Sequence, residues 1–306
     1  MRQWINLFEA PLQQQAAPQQ AAPQQAAPQQ AAPQRGAAPQ QAAGGDNAEA
    51  LLNKILKQNY PTFVKLLGQN IQDPKFIAAI KSLAGQDKVD LVSLTPTVGK
   101  LIPTQNEIDI KKSLAYPLTN AENMSANLKG GPVAPGGPII TSAKGHYIID
   151  GHHRWSQVCV CNPNCKIQAV DMSDIKGPFS GLKAAQLGIV AATGQLPVAT
   201  VEGSNLLTID QQSLIKYVVT TITPEVLDVM RQFKLVNATD EQQAKTEAAN
   251  YLWKNVATMQ KNNQPVQGAS QRGIMPQTDT AKDTWYQQAP NPETVAEMLD
   301  RLRKLF

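Results

Sequence analysis

Residues 138–154 read PIITSAKGHYIIDGHHR, and this stretch decides the fold. Pro138–Ser142 is apolar and β-branched, the composition of a buried strand. Ala143, Lys144 and Gly145 supply a short glycine-containing reversal, and His146–Ile149 alternates polar and apolar as a returning strand would. Asp150-Gly151 breaks that strand. His152, His153 and Arg154 follow, with Trp155 and Val158 at helical spacing. The stretch therefore predicts strand, turn, strand and helix start.

The same residues predict chemistry. All three histidines of the chain, His146, His152 and His153, fall here. A glycine at a strand-to-helix turn lets backbone approach a ligand closely, so Gly151 is a candidate contact. The free N–H groups of a new helix favour an anion, usually phosphate. His152, His153 and Arg154 add donors and positive charge there, and arginine offers a fork that matches phosphate. Asp150 can cap the helix, orient an imidazole or hold a metal ion. His146 lies one strand earlier and can simply face solvent, while Trp155 and Val158 are read as core.

IIDGHHRW (residues 148–155) resembles the signature of the ParB/sulfiredoxin-like superfamily, which includes ParB-type nucleases, nucleotide-hydrolysing partition proteins and free-serine kinases. Its Asp-Gly-His-His-Arg version is closest to the nuclease-like and kinase-like branches. The resemblance runs from about Val89 to Met172, with VDLVSL (89–94) as first strand and LIPTQNEI (101–108) as a second motif. It implies an α+β fold: a small mixed sheet with a helical N-terminal preface, a helical C-terminal part and disordered linkers. It also implies chemistry at phosphorus. The phosphate would sit on Gly151–His153, with Arg154 and Gln105 as further contacts. One histidine would act as general acid or base, and Asp150 would orient it or bind a divalent ion such as Mg2+. DNA or a nucleotide would be the ligand. In the kinase-like relatives an acidic residue near this place acts as base, which implies Glu107 here; the alternative for Glu107 is a helix N-terminal carboxylate favoured by the dipole. The resemblance disfavours sulfiredoxin activity, because that enzyme's reactive cysteine precedes the His-Arg pair and that position is His152.

Net charge over the 306 residues is +4, which permits nucleic-acid contact, but no concentrated Lys/Arg stripe is evident. No helix-turn-helix with a basic second helix is legible either, a departure from chromosome-partition ParB proteins. No stretch is long and apolar enough to cross a bilayer. Glu9 and Pro11 interrupt the short N-terminal apolar run, so no secretory signal is expected and a cytoplasmic setting is. Cys159, Cys161 and Cys165 suit neither a disulfide framework nor a common zinc spacing, and are read as buried and reduced.

Along the chain, MRQWINLFE (1–9) is an aromatic-apolar peptide on a Gln/Ala/Pro-rich linker (11–45) with prolines at Pro18, Pro23, Pro28 and Pro33. A tethered aromatic peptide suits docking to a protein partner. It resembles the N-termini of tailed-bacteriophage accessory proteins, implying an infected bacterial host and possible use in a virion. Residues 46–87 read as a helical preface and 88–172 as the ParB/sulfiredoxin-like domain. Residues 173–262 read as a helical subdomain, with helices at Pro178–Thr193, Asp210–Tyr217, after Thr223, and over Ala238–Gln260. Residues 263–290 read as a polar, mobile linker. Residues 291–306 read as a capped amphipathic helix that would dock on a partner, another copy or its own domain. Lys129–Gly137, KGGPVAPGG, is a loop that either covers the site or merely connects, and is no Walker loop. Besides the phosphodiester-cleaving reading, two alternatives stand: a nucleotide-dependent kinase for a small molecule such as a free amino acid, and a non-enzymatic assembly protein reusing the fold.

Overall fold

The computed structural model describes residues 45–200 and 203–303. The docking peptide expected at Met1–Glu9, nearly all of the Gln/Ala/Pro-rich tract and Phe306 lie outside these residues. Three helices come first: α1 (Gly45–Leu56), α2 (Tyr60–Asn70) and α3 (Pro74–Gln86). Asn59 and Asp73 cap α2 and α3, each followed by a proline in the first turn.

The strands are β1 (Leu91–Leu94), β2 (Ile102–Pro103), β3 (Ile139–Ser142), β4 (Tyr147–Asp150) and β5 (Ala169–Met172). They form one mixed sheet in the order β1-β5-β3-β4-β2. β3 runs parallel to β5 and antiparallel to β4, while β4 runs parallel to β2. The four-residue reversal between β3 and β4 puts Ala143, Lys144 and Gly145 at positive φ. Buried Asp171 of β5 holds it there, accepting from the amides of Lys144 (3.1 Å) and Gly145 (2.8 Å) and from Thr141 Oγ1 (2.8 Å). One carboxylate thus fixes a turn that β-carbon-bearing residues disfavour.

Successive strand residues point to opposite faces, and the core divides accordingly. Ile139, Ile148 and Ala169 join one buried cluster; Ile140, Ile149 and Met172 join the other. The first cluster packs under α4 (Ile110–Thr119), α5 (Ala121–Leu128), α6 (His152–Cys161), α8 (Gln211–Thr221), α9 (Pro224–Gln232) and α10 (Glu241–Asn262). The second packs under α1–α3 and α7 (Pro178–Thr193). α4 and α5 have no counterpart in the sequence reading of residues 88–172. Asp109 nonetheless caps α4 through the amides of Lys111 and Lys112, and Pro117 sits in its last turns.

The helix α11 (Pro292–Arg303) is capped by Asn291, whose Oδ1 accepts from the Glu293 amide. It packs on its own chain: Val295 is buried, Ser180 Oγ donates to Glu293 Oε1 at 2.5 Å, and α11 lies against α1 and α7. Residues 263–290, expected as a mobile linker, form a strap with short 3-10 turns at Arg272–Ile274, Thr278–Thr280 and Lys282–Gln288. The strap leaves the β2 edge, where the Val266 amide donates to Pro103 O. It reaches the approach to β1, where the Val89 amide donates to Ala289 O. Composition concealed this, because the bonds to the sheet edges are made by backbone groups. Among the described residues no helix is long and apolar enough to cross a membrane.

Candidate functional site

Gly151 joins β4 to α6 with φ 90° and ψ 25°, the left-handed region. A β-carbon there would lie 2.7 Å from Ile139 Cγ2 and 3.0 Å from Arg154 Nε. The glycine is therefore required by backbone conformation and by packing, and the space beside it is filled by the chain's own side chains. Asp150 does not cap the helix, because α6 has no side-chain cap at all. Its carboxylate accepts instead from Thr278 Oγ1 of the strap and lies 3.4 Å from Arg154 Nη2. Arg154 Nη1 also donates to Pro138 O at 2.8 Å.

The histidine pair is a clasp. The Thr104 amide donates to His152 Nε2 (3.2 Å), and the Asp109 amide donates to His153 Nε2 (3.1 Å). Each ring thereby fastens one end of the loop after β2 to the start of α6. Accepting at Nε2 puts the ring proton of a neutral imidazole on Nδ1. Burial pulls the His152 pKa down to about 3, helped by the charges of His153, Arg154 and Arg272. Burial does the same to His153, with Arg272 and Lys112 adding to it and Asp109 opposing. Both rings are neutral at neutral pH, and both Nε2 lone pairs are engaged.

These groups line a hollow of about 800 Å³, a size that suits a small organic ligand. Its wall includes Asp150, Gly151, His152, His153, Arg154 and Gln105, as the sequence led us to expect. Glu107 is not part of it; its Oε2 accepts from the Arg272 amide at 3.1 Å, so this carboxylate faces the start of a turn, though a different one from that expected. Gln105 is buried and donates through Nε2 to Glu107 O. Gly136, Gly137 and Pro138 also line the hollow, so the loop before β3 forms part of its wall. His146 is exposed, edge-on to Tyr147.

Sequence reasoning missed the strap's share. Arg272, Gln277, Thr278, Asp279, Trp285 and Tyr286 all line the hollow. Arg272 Nη1 lies 2.9 Å from His153 Nε2. The available signal was a single arginine and an aromatic pair inside an otherwise polar segment. Buried Gly188 of α7 admits the strap closely: a β-carbon there would lie 2.8 Å from Trp285 O.

Cys159, Cys161 and Cys165 are buried, free and away from the hollow. Burial pushes the first two thiols up to about 12 and the third to about 11, so none supplies a thiolate at neutral pH. Asp150 is already engaged by Arg154 and Thr278, and among the described residues no three His, Cys, Asp or Glu side chains gather as metal ligands. The donor set does not fit a divalent ion held by protein groups alone. No family model, no curated protein and no solved structure matches this chain.

Proposed function

We propose that the hollow binds a phosphate-bearing ligand, a nucleotide or a nucleic-acid phosphate, and that the chain is a ParB/sulfiredoxin-like protein acting at phosphorus, with phosphodiester cleavage as its reaction. One observation carries this reading: the uncapped start of α6 opens into a hollow walled by two arginines. The leading N–H groups of a helix have no intrahelical acceptor, and these receive no side-chain oxygen in their place. An anion satisfies them, and the helix dipole and the guanidinium groups favour its charge. The hollow also carries Tyr286, Trp285 and the apolar side chains of Leu91, Ile140 and Val170, surfaces suited to a flat organic ring.

Within this reading the N–H groups of His152 and His153 hold phosphate oxygens. The His152 ring holds the loop after β2 in place through Nε2 and has a donor at Nδ1. Neither ring enters as a free base, since each Nε2 already accepts from an amide. The carboxylates in the wall are Asp150 and Asp279, and these can orient a water for attack. The kinase alternative needs Glu107 as base, and its engagement by the Arg272 amide gives that alternative no support.

The test is incubation of the full chain with supercoiled plasmid, ATP or CTP, with and without magnesium, scoring nicking and phosphate release. Activity is expected with at least one of these and should fall in His152→Ala, which releases the loop after β2 from the start of α6. Activity that His152→Ala leaves intact would rule out this site.

A further inference from the structure

Two guanidinium groups line the hollow, and their electrostatic situations differ. Arg154 is neutralised by Asp150 and bound to Pro138 O. Arg272 has no carboxylate at ion-pair distance among the described residues. Glu107 comes close, yet it accepts from the Arg272 backbone amide and not from its side chain. What the Arg272 side chain meets is the imidazole of His153, through Nη1. That acceptor is neutral and already shared with the Asp109 amide. Among the described residues, Arg272 Nε and Nη2 have no acceptor at all. A guanidinium offers five N–H donors and is always charged. Here most of that capacity is without an acceptor among the described residues, on a side chain that lines the hollow.

The backbone carrying Arg272 is held by hydrogen bonds to the loop after β2. The Ser270 amide donates to Thr104 O (3.2 Å), and the Asn106 amide to Ser270 O (3.0 Å). Beyond Arg272, Ile274 O accepts from Tyr60 Oη and Gln186 Nε2, and Thr278 reaches Asp150. The charge is thus delivered to the hollow by a segment that belongs to neither strand nor α-helix.

We infer that Arg272 is the anion-binding guanidinium of the site, and that a bound phosphate clamps the strap of residues 263–290 across the hollow by bridging Arg272 to the start of α6. This rests on the phosphate-binding reading above. Arg154, already paired, serves to hold Asp150 and the loop at Pro138. By linkage, an anion that joins strap to helix tightens the strap as much as strap docking tightens the anion.

Calorimetry with inorganic pyrophosphate on the full chain tests this, paired with hydrogen exchange. Arg272→Gln should weaken pyrophosphate roughly tenfold to a hundredfold, the loss expected for a charge-assisted hydrogen bond. Arg272→Lys should recover part of that, because it restores charge without the fork. The control Arg231→Gln removes a like charge from α9, outside the hollow, and should change affinity by less than about threefold. Pyrophosphate should also slow amide exchange over residues 266–280 in the unaltered chain, a readout that holds even should Arg272→Gln not fold. Binding unchanged in Arg272→Gln, or binding without slowed exchange in the strap, would overturn this inference alone. Absence of binding by the unaltered chain would overturn the phosphate reading and this inference with it.

Discussion

The hairpin and helix of residues 138–161 and the strap of residues 263–290 face the same hollow, but they are held there by different forces. In the first, Ile139, Ile148, Ile149, Trp155 and Val158 are fully buried, and the Trp155 indole donates to Val98 O. In the second, Met275, Ala281, Trp285 and Ala289 are buried with Ile274 and Tyr286 packed beside them, and the remaining contacts are polar: amides laid on the loop after β2, and Thr278 on Asp150. Each buried aliphatic or aromatic side chain contributes about 1.5–3 kcal/mol, whereas a hydrogen bond contributes about 1 kcal/mol net. The contrast separates a prebuilt half of the site from a half whose docking is weakly held. Segments of low local stability are the ones that respond to ligands.

The largest effect should come from the prebuilt half. Gly151→Ala puts a β-carbon against Ile139 at a left-handed position, combining about 1–2 kcal/mol of conformational cost with about 1–3 kcal/mol of crowding. Urea unfolding should show a loss of about 2–5 kcal/mol in a single cooperative transition. A loss below about 1 kcal/mol would mean that β3 and the helix start separate easily, and the contrast would fail.

Acid sharpens the comparison next. Above about pH 6.5, His152 and His153 are neutral whether the chain is folded or not. Below it the unfolded chain protonates both rings, while the folded chain resists until about pH 3. The unfolded state then holds more protons, so stability falls as pH drops through that window, by up to about 1.4 kcal/mol per pH unit for each histidine. His152→Asn should flatten this acid limb in unfolding curves taken from pH 7 to pH 4. An unchanged slope would mean that the clasp does not hold neutral rings.

The smallest effect belongs to the strap. Thr278→Val removes its bond to Asp150 and should lower global stability by about 1 kcal/mol or less. Amide exchange should quicken over residues 266–290 and stay unchanged in α6. Equal quickening in both would show that strap and helix open as one cooperative unit.

How much of this was legible in the sequence follows the same division. Strand alternation, a glycine-bearing reversal and helical spacing of Trp155 and Val158 are local signals, and β3, β4 and α6 form where those signals point. Pro178–Thr193 likewise matches α7, because its caps and apolar residues are local. α4 was hidden by Pro117, whose position near the end of the helix makes it tolerable. The strap was hidden for a deeper reason: its partners, Pro103, Thr104 and Glu107, lie far away in sequence, and no periodicity encodes such pairing. The bonding partners of the histidines were hidden for the same reason. Residue type announced donors and bases; only the loop amides of Thr104 and Asp109 show that each Nε2 is already engaged.

The most direct test of the account is a backbone-amide NMR titration of the full chain with ATP and with CTP. The amides of His152, His153 and Arg154 should shift most with at least one nucleotide, accompanied by those of Arg272–Asp279 in the strap. Saturable shifts confined to other surfaces, or none with either nucleotide, would contradict a phosphate site at the start of α6.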